Sequence, residues 1–149
     1  MANTANANYT GTFWETLNED GEPALGLVTS LCHGWAAGPT GELLKYVLGA
    51  TPVIPGWGGF EVAPQTLGLR SAKGKVPTLH GAVEVEWWFD GEDLLTLSVE
   101  APAHLHGTVS LPRPLLIASN ETAFVVDGSE QDAPFELKGG RVFAQQKRR

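Results

Sequence analysis

Cysteine is almost absent from this sequence. A single residue, Cys32, among 149 leaves no intrachain disulfide and no structural zinc site of the cysteine-rich kind. Basic residues are scarce as well. Ten Lys and Arg stand against 17 Asp and Glu, a net charge of −7, so nucleic acid is excluded as a partner. The one basic cluster, Lys147-Arg148-Arg149, is too short to form a phosphate-binding footprint. No apolar run nears the roughly 20 residues of a membrane-spanning helix, so no membrane partner is expected. Met1 to Ala7 has neither a basic start nor an apolar stretch, so no signal peptide is expected there. On that ground the chain reads as cytoplasmic, or as a mature or cut-down piece of something larger. Phosphate loops and the G-x-S-x-G nucleophile elbow are missing too, as are internal repeats and low-complexity stretches.

What is present is an ordinary apolar fraction of 42%, with 18 glycines and 10 prolines as punctuation. That composition excludes disorder, and the length suits a domain burying roughly two-thirds of its unfolded surface. The text changes character near residue 50. Before it comes a loop-rich arm and one amphipathic helix, expected from Pro39 to Leu48. Proline tolerates a first helical turn, Leu43, Leu44, Val47 and Leu48 form one apolar stripe, Gly49 fits a C′ position, and Pro52 forbids continuation.

Beyond Thr51 the pattern turns to strands. Ala82 to Trp87 alternates with period two, and Asp90-Gly91 separates it from the run Leu94 to Val99, a hairpin signal. Further strands are expected at Phe60 to Val62, Leu67 to Ala72, Gly107 to Leu111, Leu115 to Ala118, Ala123 to Val126, Phe135 to Leu137 and Val142 to Ala144. Turns are expected at Pro112, Pro114, Asn120, Asp127-Gly128-Ser129 and Gly139-Gly140. Many short strands without helices between them imply a mainly β fold, an antiparallel, jelly-roll-like β-sandwich. The expected organisation is an arm and helix over residues 1–50 and a sandwich over residues 51–149.

Several residue types invite a functional reading. His104 and His106, two apart on a strand, share a face, and His80 is a third imidazole, but no carboxylate or cysteine stands at ligand spacing beside them. No metal and no cofactor is therefore expected. Trp57, Trp87 and Trp88 offer a sugar platform or core packing, with core packing favoured; adjacent Trp87 and Trp88 point to opposite faces. Cys32 reads as a small buried residue. Asn8-Tyr9-Thr10 and Asn120-Glu121-Thr122 are N-glycosylation acceptor triplets, compatible with a secreted glycoprotein.

Four stretches of the first half belong together: Thr12-Phe13-Trp14-Glu15, Leu17-Asn18-Glu19-Asp20-Gly21, Thr29-Ser30-Leu31-Cys32-His33-Gly34-Trp35, and Gly38-Pro39-Thr40 leading to Tyr46-Val47-Leu48-Gly49. Their order resembles the end of the catalytic domain of α-L-rhamnosidases, glycoside hydrolase family 78. Pro52, Pro55-Gly56-Trp57, Phe60-Glu61-Val62-Ala63-Pro64 and Val76-Pro77-Thr78-Leu79-His80-Gly81 resemble the start of the C-terminal β-sandwich that follows. The resemblance runs from about Tyr9 to Pro102.

That resemblance implies hydrolysis of terminal α-L-rhamnose with inversion, inside an (α/α)6 barrel. It implies Glu15 as the carboxylate that activates water, His33 as a sugar contact, and Trp14 and Trp35 as neighbours at the sugar. Inversion needs a second carboxyl group as acid, about 6.5–9.5 Å from the base to admit water. The rest of the barrel, with that acid, is missing from the sequence, so the chain reads as a last barrel segment plus its accessory sandwich. Three functions compete: a non-catalytic fragment or homologue of a secreted α-L-rhamnosidase with at most weak rhamnoside contact, a secreted interaction protein, and a residual hydrolase completed by a partner chain. Apolar residues left without a barrel, Leu25, Leu27, Val28, Leu31 and Trp35, would need cover, as in a homodimer.

Overall fold

The computed structural model describes residues 7–91, 94–110, 124–126, 129–131 and 135–147. The strand expected at Leu115 to Ala118, the turn residues Pro112, Pro114, Asn120 and Asp127-Gly128, and the Asn120 triplet lie outside the described residues. The chain divides into two compact units, Met1–Glu42 and Leu43–Arg149.

The first unit is built from turns. A 3-10 turn spans Gly26–Val28, a second spans Gly34–Ala37, and a single α-helical turn, Gly38–Glu42, follows it directly. Two extended stretches are laid side by side by a pair of backbone hydrogen bonds, from Glu15 N–H to the Ser30 carbonyl (2.9 Å) and from His33 N–H to the Phe13 carbonyl (2.8 Å). Trp14 is the large apolar side chain this unit buries, at 4% exposure, and its indole N–H donates to the Thr10 hydroxyl.

The second unit opens with a π-helical turn, Leu43–Val47, closed by the Leu48 amide on the Leu43 carbonyl. Helical backbone thus begins earlier than the expected Pro39 and changes its winding on the way. Of the expected stripe, Val47 and Leu48 are buried and Leu44 packs against the core, but Leu43 is 55% exposed. Gly49 ends the helix as expected, at φ +75°, where a Cβ would stand 2.2 Å from the Ala63 carbonyl carbon. Only glycine fits so close a backbone approach with that φ.

The strands are β1 (Ala50–Ile54), β2 (Gly59–Val62), β3 (Ser71–Thr78), β4 (Gly81–Asp90), β5 (Leu94–Val109), β6 (Phe124–Val126), β7 (Ser129–Gln131) and β8 (Phe135–Lys147). They form one curled sheet in the order β1-β2-β5-β8-β6-β7, with β4 and then β3 added beside the first half of β5. The long strands β5 and β8 are what make this one sheet sandwich-like. Leu94 to Ala101 of β5 pairs with β8, and its Leu94 to Glu100 stretch with β4 as well. Past an irregularity between Ala101 and His106, the same strand pairs with β2. Pro102 to Leu105 stand opposite Gly139 alone, a large bulge that turns the corner between the two layers.

This corner explains several differences from expectation. Gly139-Gly140 is not a turn between two strands but lies inside β8, at φ +70° and +79°, and a Cβ on Gly139 would meet the Ala103 Cα at 2.5 Å. The runs Phe135 to Leu137 and Val142 to Ala144 are therefore one strand, as are Leu94 to Val99 and Gly107 to Val109. Of the expected strand Leu67 to Ala72 only Ser71 and Ala72 are extended, as the start of β3, and Leu67 sits at φ +48°. The sheet is antiparallel apart from β2 and β5, which pair parallel through Phe60 and Gly107. The core lies between the layers. Trp87, Val83, Val85, Leu97 and Val99 face Phe60, Val62, Leu105 and Val109 within one buried apolar cluster.

Candidate functional site

Glu15 and His33 are separated by 18 positions in the sequence, and the pair of backbone hydrogen bonds that joins their extended stretches brings them together. Glu15 Oε2 lies 3.9 Å from His33 Nδ1, with side-chain exposures of 20% and 30%. The same carboxylate oxygen accepts the Ser30 backbone N–H at 3.2 Å. Glu15 is therefore held at three points: its own amide on Ser30, its carboxylate on the Ser30 amide, and its carbonyl, which accepts the Trp35 indole N–H at 3.4 Å. Trp35 in turn leans on His33, ring centroids 4.4 Å apart at 45°. The 3-10 turn Gly34–Ala37 begins one residue after His33, and its curvature brings Trp35 back over that imidazole.

The three residues make a small, half-open site. A carboxylate fixed by a backbone amide can accept a proton from water, an imidazole can donate to a hydroxyl, and Trp35, 72% exposed, offers a flat apolar wall. Trp14 is placed otherwise. Its ring is buried and its N–H is spent on Thr10, so it anchors the stretch that carries Glu15. Next to Glu15, the Thr16 hydroxyl is buried without a hydrogen-bond partner among the described residues. Cys32 is exposed rather than buried, because its stretch lies on the outside of the first unit.

Elsewhere the imidazoles do not gather. His80 and His104 meet edge to face at 5.6 Å, and no group of three His, Cys, Asp or Glu side chains suited to a metal occurs among the described residues. Trp87 is wholly buried, Trp57 packs against the core, and Trp88 stands half-buried on the outer face of β4. The acids Glu19, Asp20 and Glu22 sit in an exposed turn that Asp20 closes on the Glu22 amide.

Residues 49–121 match the family described as the bacterial alpha-L-rhamnosidase C-terminal domain. Over that stretch the chain is similar to the C-terminal domain of bacterial α-L-rhamnosidases. The matched stretch begins at the glycine that ends the helix and covers the sandwich through β5.

Solved α-L-rhamnosidases share this fold. That from Dictyoglumus thermophilum superposes with a TM-score of 0.69 at 16% identity, covering 80% of this chain and 14% of that one. The native enzyme from Aspergillus terreus gives 0.65 at 23%, covering 90% and 14%. The Streptomyces avermitilis enzyme, complexed with L-rhamnose, gives 0.64 at 20%, covering 90% and 13%. The chain thus spans about one-seventh of the length of these structures. No curated protein sequence matches it. Glu15 and His33 lie outside the matched family segment, so that match assigns them no role.

Proposed function

We propose that this chain is an accessory, non-catalytic C-terminal part of a secreted α-L-rhamnosidase or of a homologue. On this reading the sandwich is structural, and the first unit carries the base-side half of a rhamnoside site. Glu15 is the carboxylate that would draw a proton from water, His33 the group that would hold a sugar hydroxyl, and Trp35 the apolar wall. One observation carries the reading: Glu15 meets an imidazole and an indole 18 and 20 positions further on, in contacts of 4.4 Å or less.

Among the described residues of the first unit, the half-site does not have what inverting hydrolysis demands. A second carboxyl group must protonate the leaving oxygen from across the bond, and walls must keep bulk water out. Glu19, Asp20 and Glu22, the nearest acids in sequence, are committed to their exposed turn. In the same unit Leu25, Leu27, Val28 and Leu31 are exposed, and the Thr16 hydroxyl is buried without a partner among the described residues. Such a surface is completed by further protein, which would supply both cover and acid.

The test is hydrolysis of an aryl α-L-rhamnoside by the isolated chain. The expected result is no release above buffer, and no change on Glu15→Gln. Turnover that vanishes in Glu15→Gln would overturn the proposal, because a second carboxyl group would then have to be present within the chain.

A further inference from the structure

The outer face of the sheet formed by β3, β4, β5 and β8 carries a second, independent arrangement. Three cross-strand rows run over it: Lys75-Glu84-Glu100-Arg141, Lys73-Glu86-Ser98-Phe143, and Ser71-Trp88-Thr96-Gln145. In the third row a hydrogen-bonded chain crosses three strands. The Trp88 indole N–H donates to Asp90 Oδ1 (3.1 Å), the Thr96 hydroxyl to Asp90 Oδ2 (3.0 Å), and the Gln145 amide to the Thr96 hydroxyl (3.2 Å). Asp90 thereby fixes the Trp88 ring from one edge, and Thr96 is 3% exposed beneath it. Phe143, 44% exposed and with the Arg141 guanidinium 6.0 Å from its ring centroid, is the second aromatic of this face.

We infer that this face is a binding platform for a neutral oligosaccharide. Trp88 and Phe143 stand two strands and two residues apart, about 12 Å by ordinary strand spacing, the span of a short run of sugar rings. Between them lies the small side chain of Ser98, which leaves a shallow floor edged by Glu86 and Gln145. Aromatic faces pack against the C–H faces of pyranoses, while carboxylates, hydroxyls and amides take the ring hydroxyls. The charges select the class of ligand. Lys73 is paired with Glu86, Lys75 with Glu84 and Arg141 with Glu100, and the Asp90 carboxylate holds two donors. Three of the four carboxylates are matched by a cation and the fourth, Asp90, leaves one net negative charge, so the face repels a polyanion, offers a polycation little field, and suits an uncharged polymer.

The platform lies wholly in the second unit and does not depend on Glu15 or His33. It is tested by affinity electrophoresis of the full chain through gels holding xylan, glucomannan, arabinogalactan or polygalacturonate. At least one neutral polymer is expected to retard the chain, and polygalacturonate is not. Phe143→Ser, at an exposed position, and Trp88→Ala are each expected to weaken the retardation about tenfold, with His33→Ala unchanged. Circular dichroism of both platform variants checks that they fold, and Phe143→Ser carries the test if Trp88→Ala does not. Absence of retardation by every neutral polymer, retardation untouched by Phe143→Ser, or preference for polygalacturonate would each overturn the inference.

Discussion

The indole N–H of Trp87 donates to the backbone carbonyl of Val47 across 2.7 Å, wholly inside the core and between residues 40 positions apart. Two needs are met by one bond. The last carbonyls of a helix lack partners within it, and a buried indole must place its N–H. The bond pins the helix end to β4 while Leu48 packs against Gly74 of β3. Trp87→Phe removes the donor, leaves the Val47 carbonyl unpaired and opens a small cavity. The expected loss is about 3 kcal/mol, read as a lower urea midpoint with an unchanged slope. A loss under about 0.5 kcal/mol would mean that the helix end is held by something else.

How much of this was legible from the residues depended on whether the deciding contact was local. The alternation of Val83, Val85 and Trp87 with Glu84, Glu86 and Trp88 identified β4 and its buried face, because period two is a property of the strand itself. Gly49 and Asp90-Gly91 were equally readable, since turn chemistry sits in adjacent residues. Gly139-Gly140 misled for the opposite reason. Its positive φ values serve a bulge about 35 positions away, and nothing nearby distinguishes that from a turn. The two-residue turn Leu79-His80 between Thr78 and Gly81 lacks the usual Asn-Gly signal. Glu15 and His33 were found through resemblance alone. The backbone pair that joins them is non-local, and no spacing rule contains it.

The corner itself can be probed by comparing two neighbouring glycines. Gly140→Ala meets only the cost of a left-handed backbone, since a Cβ there touches nothing within 4 Å. It should lose about 1–2 kcal/mol. Gly139→Ala adds a Cβ 2.5 Å from the Ala103 Cα, at a place where backbone cannot yield as a side-chain end can. A loss of roughly 3 kcal/mol or more is expected. Equal losses in chemical denaturation would show that the bulge, and with it the sandwich corner, is loose.

The ion-pair ladder on the outer face has a measurable electrostatic signature. The Lys75 ammonium, hydrogen-bonded to Glu84, holds that carboxyl below its ordinary value against an opposing desolvation, with the charges of Lys75, Arg141 and Lys73 adding to the effect. A carboxyl depressed in the folded state stabilises it above the unfolded value, and that contribution disappears as pH falls through the folded one. Stability should therefore decline on acidification within the carboxylate range. Lys75→Met should raise the Glu84 titration in a carbon-detected NMR series. Because the pair is exposed, the accompanying change in stability should be slight. A Glu84 titration that stays put in Lys75→Met would show that the cross-strand pair does not persist in solution.

The first unit leaves a set of apolar side chains uncovered: Leu27 entirely, Val28 at 80%, Trp35 at 72%, Leu25 at 50%, and Leu31 and Leu17 less so. Single exposed leucines are ordinary, but Leu25, Leu27 and Val28 cluster within four consecutive positions around one 3-10 turn. Burying such a cluster returns about 25 cal/mol for each Å2 of apolar area, enough to favour association once several side chains are covered together. The isolated chain is therefore expected to self-associate in a concentration-dependent way through this face, a homodimer being the simplest closed form. Sedimentation velocity across a hundredfold range of concentration would show it. Replacing Leu27 and Val28 together by serine should shift the equilibrium to monomer without lowering the unfolding midpoint of the sandwich, since neither side chain belongs to a core. A wild-type chain that stays monomeric throughout, or a double variant that associates as strongly as the parent, would remove this face from the account. The proposal that further protein completes the Glu15–His33 half-site would then lose one of its supports.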